Sequence, residues 1–81
     1  MVSLKSSIPQ HHTGFKQVVT LAKDWEFRCL CISGAWRILP PDAQAWWLEF
    51  EDDHWVLFVG DVAQIRLQER EAIAFLRRRA Q

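Results

Sequence analysis

Residues 45–60 read AWWLEFEDDHWVLFVG, hold three of the five tryptophans, and alternate with a period of two. Such alternation predicts a β-hairpin, whose turn is either Asp52-Asp53 or the four residues 51–54. Both turns place the same apolar residues opposite each other: Phe50 and Trp55, Leu48 and Leu57, Trp46 and Val59. Because this face of the hairpin is entirely apolar, we expect it to be buried.

A second hairpin precedes the first. Residues 26–32 again alternate with a period of two, Ser33-Gly34 is a turn signal, and residues 35–39 run back along the strand. This register pairs Trp36 with Cys31 and Ile38 with Cys29. A connection at 40–44, PPDAQ, ends the return strand, because proline cannot donate to a β-ladder.

The two hairpins combine into one sheet if residues 40–44 close a third hairpin. Ile38 then faces Trp46, Trp36 faces Leu48, and the apolar faces of both hairpins coincide. The predicted buried face consists of Phe27, Cys29, Cys31, Trp36, Ile38, Trp46, Leu48, Phe50, Trp55, Leu57 and Val59.

Segments with helical periodicity precede and follow the predicted sheet. Apolar residues recur at helical spacing between Gly14 and Asp24, with Thr13 as a usable N-cap. After Gly60, the pair Asp61 and Gln64 fits a capping box. An apolar stripe follows at Val62, Ile65, Ala72, Ile73, Phe75, Leu76 and Ala80. The alternative is that this helix begins only near Gln68 and that residues 63–67 form a short fifth strand or a loop.

These elements predict an α+β fold, in which an N-terminal helix precedes a four-stranded antiparallel meander and a C-terminal helix packs on its apolar face. A small SH3-like barrel with flanking helices is the structural alternative. We expect residues 1–12 to be a flexible arm, since they contain few apolar anchors, and residues 13–81 to be a single compact domain.

Composition narrows the possible functions. The 81 residues are 49% hydrophobic and 25% charged, which is typical of one small soluble domain. Ten basic and ten acidic residues give a net charge of zero, so no global field attracts nucleic acid or anionic lipid. No apolar run reaches the roughly 20 residues needed to cross a bilayer, and no signal-peptide core is present. We therefore expect a cytoplasmic protein.

Cys29 and Cys31 are the only cysteines, and with His11-His12 and His54 they could in principle supply zinc ligands. Their spacing differs from that of common zinc knuckles, and they lie on the predicted core face. We expect both thiols to be buried, reduced and free of metal, because buried free cysteine is common. No cofactor is expected.

The predicted turn of the central hairpin carries Glu49, Glu51, Asp52, Asp53 and His54. A carboxylate beside an imidazole, such as Glu51 with His54, is the minimum for general acid–base catalysis or a cation site. However, Asp is favoured in turns for backbone reasons, and no nucleophile or phosphate-binding loop accompanies the cluster. We therefore expect a solvated turn and no catalytic residue.

Arg77-Arg78-Arg79 is the one run of basic residues. A basic run near exposed tryptophans could bind nucleic acid, with the rings stacked on bases. Arginines at a helix C-terminus also complement the helix dipole, and acidic residues on the same helix favour that reading.

The outer face of the predicted sheet combines large apolar side chains with charged ones, which is unusual for solvent and for a core alike. Aromatic residues and arginine are enriched at protein interfaces. We expect a partner surface here, anchored by Trp47 and Phe58 with Arg37, Val56 and Leu30. The alternative is that a terminal helix or the N-terminal arm covers this face.

Three classes of function follow. The first is a non-enzymatic protein–protein interaction module, either a homodimer or a regulator or inhibitor of a larger protein, and it fits the size and the mixed outer face best. The second is a nucleic-acid-binding accessory that uses Arg77, Arg78 and Arg79. The third is a small metal protein or enzyme centred on Glu51 and His54 or on Cys29 and Cys31.

Overall fold

The computed structural model describes residues 15–80, and these form an α+β domain. The first helix, α1, covers residues 15–24 of the described part. It is followed by five strands and a second helix: β1 (Arg28–Ile32), β2 (Ala35–Leu39), β3 (Trp46–Glu51), β4 (His54–Val59), β5 (Val62–Leu67) and α2 (Glu69–Arg79). The predicted α+β class is confirmed, and the sheet has one strand more than the predicted meander.

The five strands form an antiparallel sheet in the order β1-β2-β3-β4-β5, with each strand next to its neighbours in sequence. The SH3-like alternative is not confirmed. The predicted N-terminal arm and Thr13, Gly14, His11 and His12 lie outside the described residues.

Both predicted tight turns are present. Ser33-Gly34 and Asp52-Asp53 each have two consecutive residues with positive φ, from 47° to 83°, as two-residue hairpin turns require. The register across the central hairpin is the predicted one, since Phe50 pairs with Trp55 and Trp46 with Val59. The first hairpin likewise pairs Cys31 with Trp36 and Cys29 with Ile38.

The predicted register between the two hairpins was wrong by two residues. Ile38 pairs with Leu48 rather than with Trp46, and Arg37 pairs with Glu49. An even shift leaves every side chain on its predicted face, so the face pattern cannot distinguish the two registers. The connection also extends to residue 45, where the Ala45 carbonyl accepts a hydrogen bond of 2.8 Å from the Gly60 N–H.

The C-terminal helix begins later than the apolar stripe predicted. Asp61 lies in the β4–β5 turn with φ of 70°, so the predicted capping box at Asp61 and Gln64 was wrong. Residues 62–67 form β5, in line with the alternative of a short fifth strand. The helix is capped instead at Gln68, whose N–H donates a hydrogen bond of 2.8 Å to the Glu71 carboxylate.

Both helices pack on the predicted apolar face of the sheet. Val18 and Ala22 of α1 and Ala72 and Leu76 of α2 are fully buried. They share one core with residues of the sheet and of the segment before it: Phe27, Ile38, Trp46, Leu48, Trp55 and Leu67. Phe15 joins this core at the start of α1, where its ring lies 5.0 Å from Phe50 and 5.9 Å from Trp55.

The edges of the predicted buried face are not covered. Cys31 is exposed, Trp36 is 36% exposed and Val59 is 43% exposed, so these three predictions of burial were wrong. All three residues lie near the end of a strand: Cys31 is the fourth of five residues in β1, Trp36 the second residue of β2, and Val59 the last residue of β4.

Candidate functional site

The face of the sheet opposite the helices carries the predicted partner surface, which we term the outer face. Its predicted members are brought together by strand pairing: Leu30 pairs with Arg37, and Trp47 pairs with Phe58. Glu49 connects the two pairs, because it lies beside Arg37 on one side and Val56 on the other. Neither helix of residues 15–80 lies on this face, because their buried residues all belong to the core on the other face.

Trp47 and Phe58 form the centre of the outer face. Their ring centroids lie 5.1 Å apart at an interplanar angle of 9°, which is a stacked pair. Both side chains are half-buried. The two rings are therefore partly covered within the domain, and the rest of their surface reaches solvent.

Glu49 on the same strand and Arg37 on the neighbouring strand β2 hold the indole of Trp47 in place. The Arg37 Nε donates a hydrogen bond of 2.9 Å to the Glu49 carboxylate, and the Trp47 Nε1 donates to the same oxygen at 3.4 Å. The Arg37 guanidinium also lies 4.9 Å from the Trp47 ring centre, within the range of a cation–π contact. The Glu49 side chain is 14% exposed, so this carboxylate is largely shielded and neutralised within the domain.

Val56 lies on the outer face but is only 6% exposed, so little of its side chain reaches solvent. Leu30 is 38% exposed and the neighbouring Ile32 is 37% exposed, so this apolar pair at the β1 side of the sheet does reach solvent. The contact surface therefore runs from the stacked rings towards β1.

Two exposed arginines border the outer face. Arg66 pairs with Val56 in the ladder, and Arg28 lies two residues before Leu30 on β1, so both side chains point to this side. Neither arginine has an ion-pair partner within residues 15–80. The aromatic centre of the outer face is therefore bordered by two exposed arginines.

The acidic turn lies at one end of the same face, where Glu51 pairs with His54. A hydrogen bond to the Glu49 carboxyl raises the pKa of Glu51, and slight burial and the charges of Glu49 and Asp52 raise it further, while His54 opposes the shift. A groove of about 500 Å³ separates this turn from the start of α2, and His54, Arg66 and Glu69 are among the residues that line it. Acidic residues and Arg66 line this groove, and no nucleophilic side chain lines it.

The two cysteines differ in environment. Burial raises the pKa of the Cys29 thiol, which points at the Val19 carbonyl of α1 with an S–O distance of 4.0 Å. Cys31 is exposed. Among residues 15–80 no three His, Cys, Asp or Glu side chains are close enough together to hold a metal ion.

The three arginines of α2 lie on the helix side of the sheet, away from Trp47 and Phe58. The Arg77 guanidinium lies 5.8 Å from the Trp25 ring, and that of Arg79 lies 3.8 Å from the Phe75 ring. All three arginines are exposed, Arg78 included. The basic run and the outer-face aromatics therefore do not share a surface.

A groove on the helix side was not predicted from the sequence. It has a volume of about 370 Å³ and is lined mainly by apolar side chains, among them Trp46, Leu57 and Phe75. Exposed Val62 and Ile65 lie on the adjoining strand β5. The period-two spacing of Ile65 with Leu67 was the available signal for a strand, although Ile65 and Val62 also fit the helical stripe.

The described helices include none that is long and apolar enough to cross a membrane. Searches against protein-family models, curated proteins and solved structures find no match to this chain. The case for a function therefore rests on the geometry of the outer face.

Proposed function

We propose that this protein is a non-enzymatic interaction module that binds another protein through its outer face. The observation that carries the proposal is the stacked pair of Trp47 and Phe58, held in place on a sheet face that no described helix covers. Large aromatic anchors that are fixed before binding lose little conformational entropy when a partner arrives. The pair is therefore a preorganised anchor.

The Arg37–Glu49 ion pair supports this reading. It is internal to the domain, at 2.9 Å, and it neutralises the carboxylate closest to the rings. A partner can therefore cover Trp47 without leaving the Glu49 charge buried and unpaired, which would cost several kcal/mol. The charged groups at the centre are part of the anchor rather than an obstacle to binding.

The border of the face indicates the chemistry of the partner. Arg28 and Arg66 are exposed and lack ion-pair partners within residues 15–80. Opposite charges placed at the rim accelerate association and select partners, and the effect is screened by salt. We therefore expect a partner with an apolar centre bordered by carboxylates and an association rate that falls as ionic strength rises.

Photo-crosslinking from the outer face tests the proposal. A photoreactive phenylalanine derivative replaces Arg66 in one tagged full-length chain and Arg78 in another, so that two exposed arginine positions on opposite sides of the sheet are compared. In extracts of the native host, we expect a specific protein adduct from position 66 and none of that mass from position 78. The same adduct from both positions, or none from position 66, would contradict the proposal.

Competition then ties the adduct to the anchor. Untagged wild-type chain should suppress the adduct, while Trp47→Ser/Phe58→Ser should not, provided that its thermal unfolding shows a folded domain. Because loss of both rings destabilises the sheet, Arg28→Glu serves as a second competitor whose exposed position leaves the fold unchanged. It should compete more weakly than Arg78→Glu, and equal competition by all variants would refute the outer face as the binding site.

A further inference from the structure

The two edges of the sheet are unequal. Strand β5 carries a register shift opposite Leu57 and Phe58, which is a bulge-like irregularity. Strand β1 is regular, because all five of its residues pair in register with β2. Bulges, charges and proline are the usual devices that prevent an edge strand from pairing with another chain. Strand β5 has a bulge, whereas β1 has neither a bulge nor a proline and carries a single charge, Arg28, at its first residue.

The side chains of β1 leave the open edge accessible. Its sequence is Arg-Cys-Leu-Cys-Ile, with one charge at its first residue and no proline. Leu30 and Ile32 are each more than a third exposed, and Cys31 is exposed. No described segment beyond β1 pairs with this edge, since β1 is the last strand of the sheet. Such an edge is a template for strand addition.

The backbone N–H and C=O groups of β1 point alternately at β2 and at the open edge. In a two-residue hairpin the residues that flank the turn, here Ile32 and Ala35, form a hydrogen-bonded pair. The two kinds of pair alternate along an antiparallel ladder, so Leu30 and Arg28 also direct their N–H and C=O groups at β2. Cys29 and Cys31 therefore direct theirs to the open edge.

We propose that β1 pairs antiparallel with β1 of a second copy of this chain, about a two-fold axis at Leu30. In this register Cys29 lies opposite Cys31 of the partner subunit, and these are the residues whose backbone groups are free to pair. Leu30 meets its own copy, and Arg28 lies beside Ile32 of the partner subunit, where its methylene stem can pack while its charge stays in water. The two arginines then lie at opposite ends of the paired strands and do not repel each other closely.

The dimer would join the two sheets into one of ten strands. Side-chain alternation continues across the junction, so the two outer faces lie side by side with Leu30 and Ile32 at the seam. This inference goes beyond the proposed function and rests on different observations. Strand β1 pairs in register with β2 along its whole length, and Cys29 and Cys31 direct their N–H and C=O groups to the open edge. Binding of another protein by Trp47 and Phe58 is possible with or without the dimer.

Oligomeric state under reducing conditions provides the first test. Sedimentation of the full chain over a range of concentrations should show a monomer–dimer equilibrium. Leu30→Lys places two like charges at the two-fold axis and should raise the apparent Kd by roughly 100-fold, because like charges juxtaposed across an interface oppose association. Ile65→Lys on the opposite edge is the matched control and should leave the Kd unchanged. A strictly monomeric wild type, or equal dimerisation by both variants, would overturn the proposal.

Thiol crosslinking tests the register. With dibromobimane as a short bis-electrophile, the wild-type chain should form a covalent dimer. Cys29→Ser and Cys31→Ser should each form little covalent dimer when alone. A mixture of the two variants should form the covalent dimer again, because Cys29 of one chain lies opposite Cys31 of the partner subunit. Self-crosslinking by either single variant would place the axis elsewhere and refute the register. Trp47→Ser/Phe58→Ser should still dimerise. A wild-type chain that stays monomeric and still gives the position-66 adduct refutes the dimer alone, so the failure of one proposal is distinguishable from that of the other.

Discussion

Truncation of Trp55 is the most demanding test of the fold. The side chain is 1% exposed, and the centroid of its ring lies 5.0 Å from that of Phe50 and 5.9 Å from that of Phe15. Removing a buried tryptophan to alanine costs about 3–5 kcal/mol, which includes the loss of ring pairs worth about 0.5–1.5 kcal/mol each. Because a domain of this size is stabilised by only about 5 kcal/mol, Trp55→Ala should be close to unfolded.

Urea denaturation followed by far-UV circular dichroism measures the change, with Trp47→Ala as the matched control. Trp47 is half-buried and loses its stack with Phe58 and its contact with Arg37, so its truncation should cost only about 1–2 kcal/mol. Trp55→Phe keeps an aromatic ring in the core and should cost about 1–2 kcal/mol, which gives a measurable value even if the alanine variant fails to fold. The assignment of the core to the helix side would be refuted if truncating Trp47 cost as much as truncating Trp55.

Three further outcomes are expected. Cys31 should react rapidly with iodoacetamide in the folded protein and Cys29 slowly, because one thiol is exposed and burial raises the pKa of the other; mass spectrometry of the digested product should therefore find Cys31 labelled first. The hydrogen bond to Glu49 that raises the pKa of Glu51 requires protonated Glu51, and charge repulsion from Glu49 and Asp52 adds to the shift, so Glu51→Gln should be more stable than wild type at neutral pH. This difference should shrink as the pH falls through the raised folded value towards about 4, and an unchanged gap in urea midpoints would contradict the raised pKa. Gly34→Ala should cost about 1–2 kcal/mol, because its φ of +83° is left-handed although no atom lies within 4 Å of the added Cβ, whereas Ala43→Gly in the exposed connection should cost little.

The period-two alternation of side chains predicted which face of the sheet each residue lies on better than it predicted which residues pair between neighbouring strands. Asp52-Asp53 and Ser33-Gly34 are short enough for only one register each, and both registers were correct. The longer connection through Pro40 and Pro41 imposes no such constraint, and a shift of two residues preserves the buried set. The pairing of Arg37 with Glu49, which holds Trp47, depends on that shift and could not be derived from the alternation alone.

The boundary between β5 and α2 shows a second limit. Val62 and Ile65 are three residues apart and therefore fit a helical stripe, while Ile65 and Leu67 also fit the period of a strand. The turn at Gly60-Asp61, in which both residues have positive φ, resolves the ambiguity because it returns the chain directly along β4. Local periodicity does not contain that information, since it depends on pairing with a strand already formed.

The choice of face by the two helices follows from charge. A helix laid over Trp47 and Phe58 would bury Arg37 and Glu49 deeply, and the desolvation cost of such a pair can exceed its Coulombic gain. The opposite face offers Trp46, Leu48 and Trp55 with no charged group between them, so both helices gain more by packing there. Since each helix buries a single narrow stripe, neither has a second apolar face with which to cover the other side of the sheet. The Arg37–Glu49 ion pair that disfavours helix packing on the outer face also orients the Trp47 indole. The same contacts that hold the rings in place therefore leave them available to a partner.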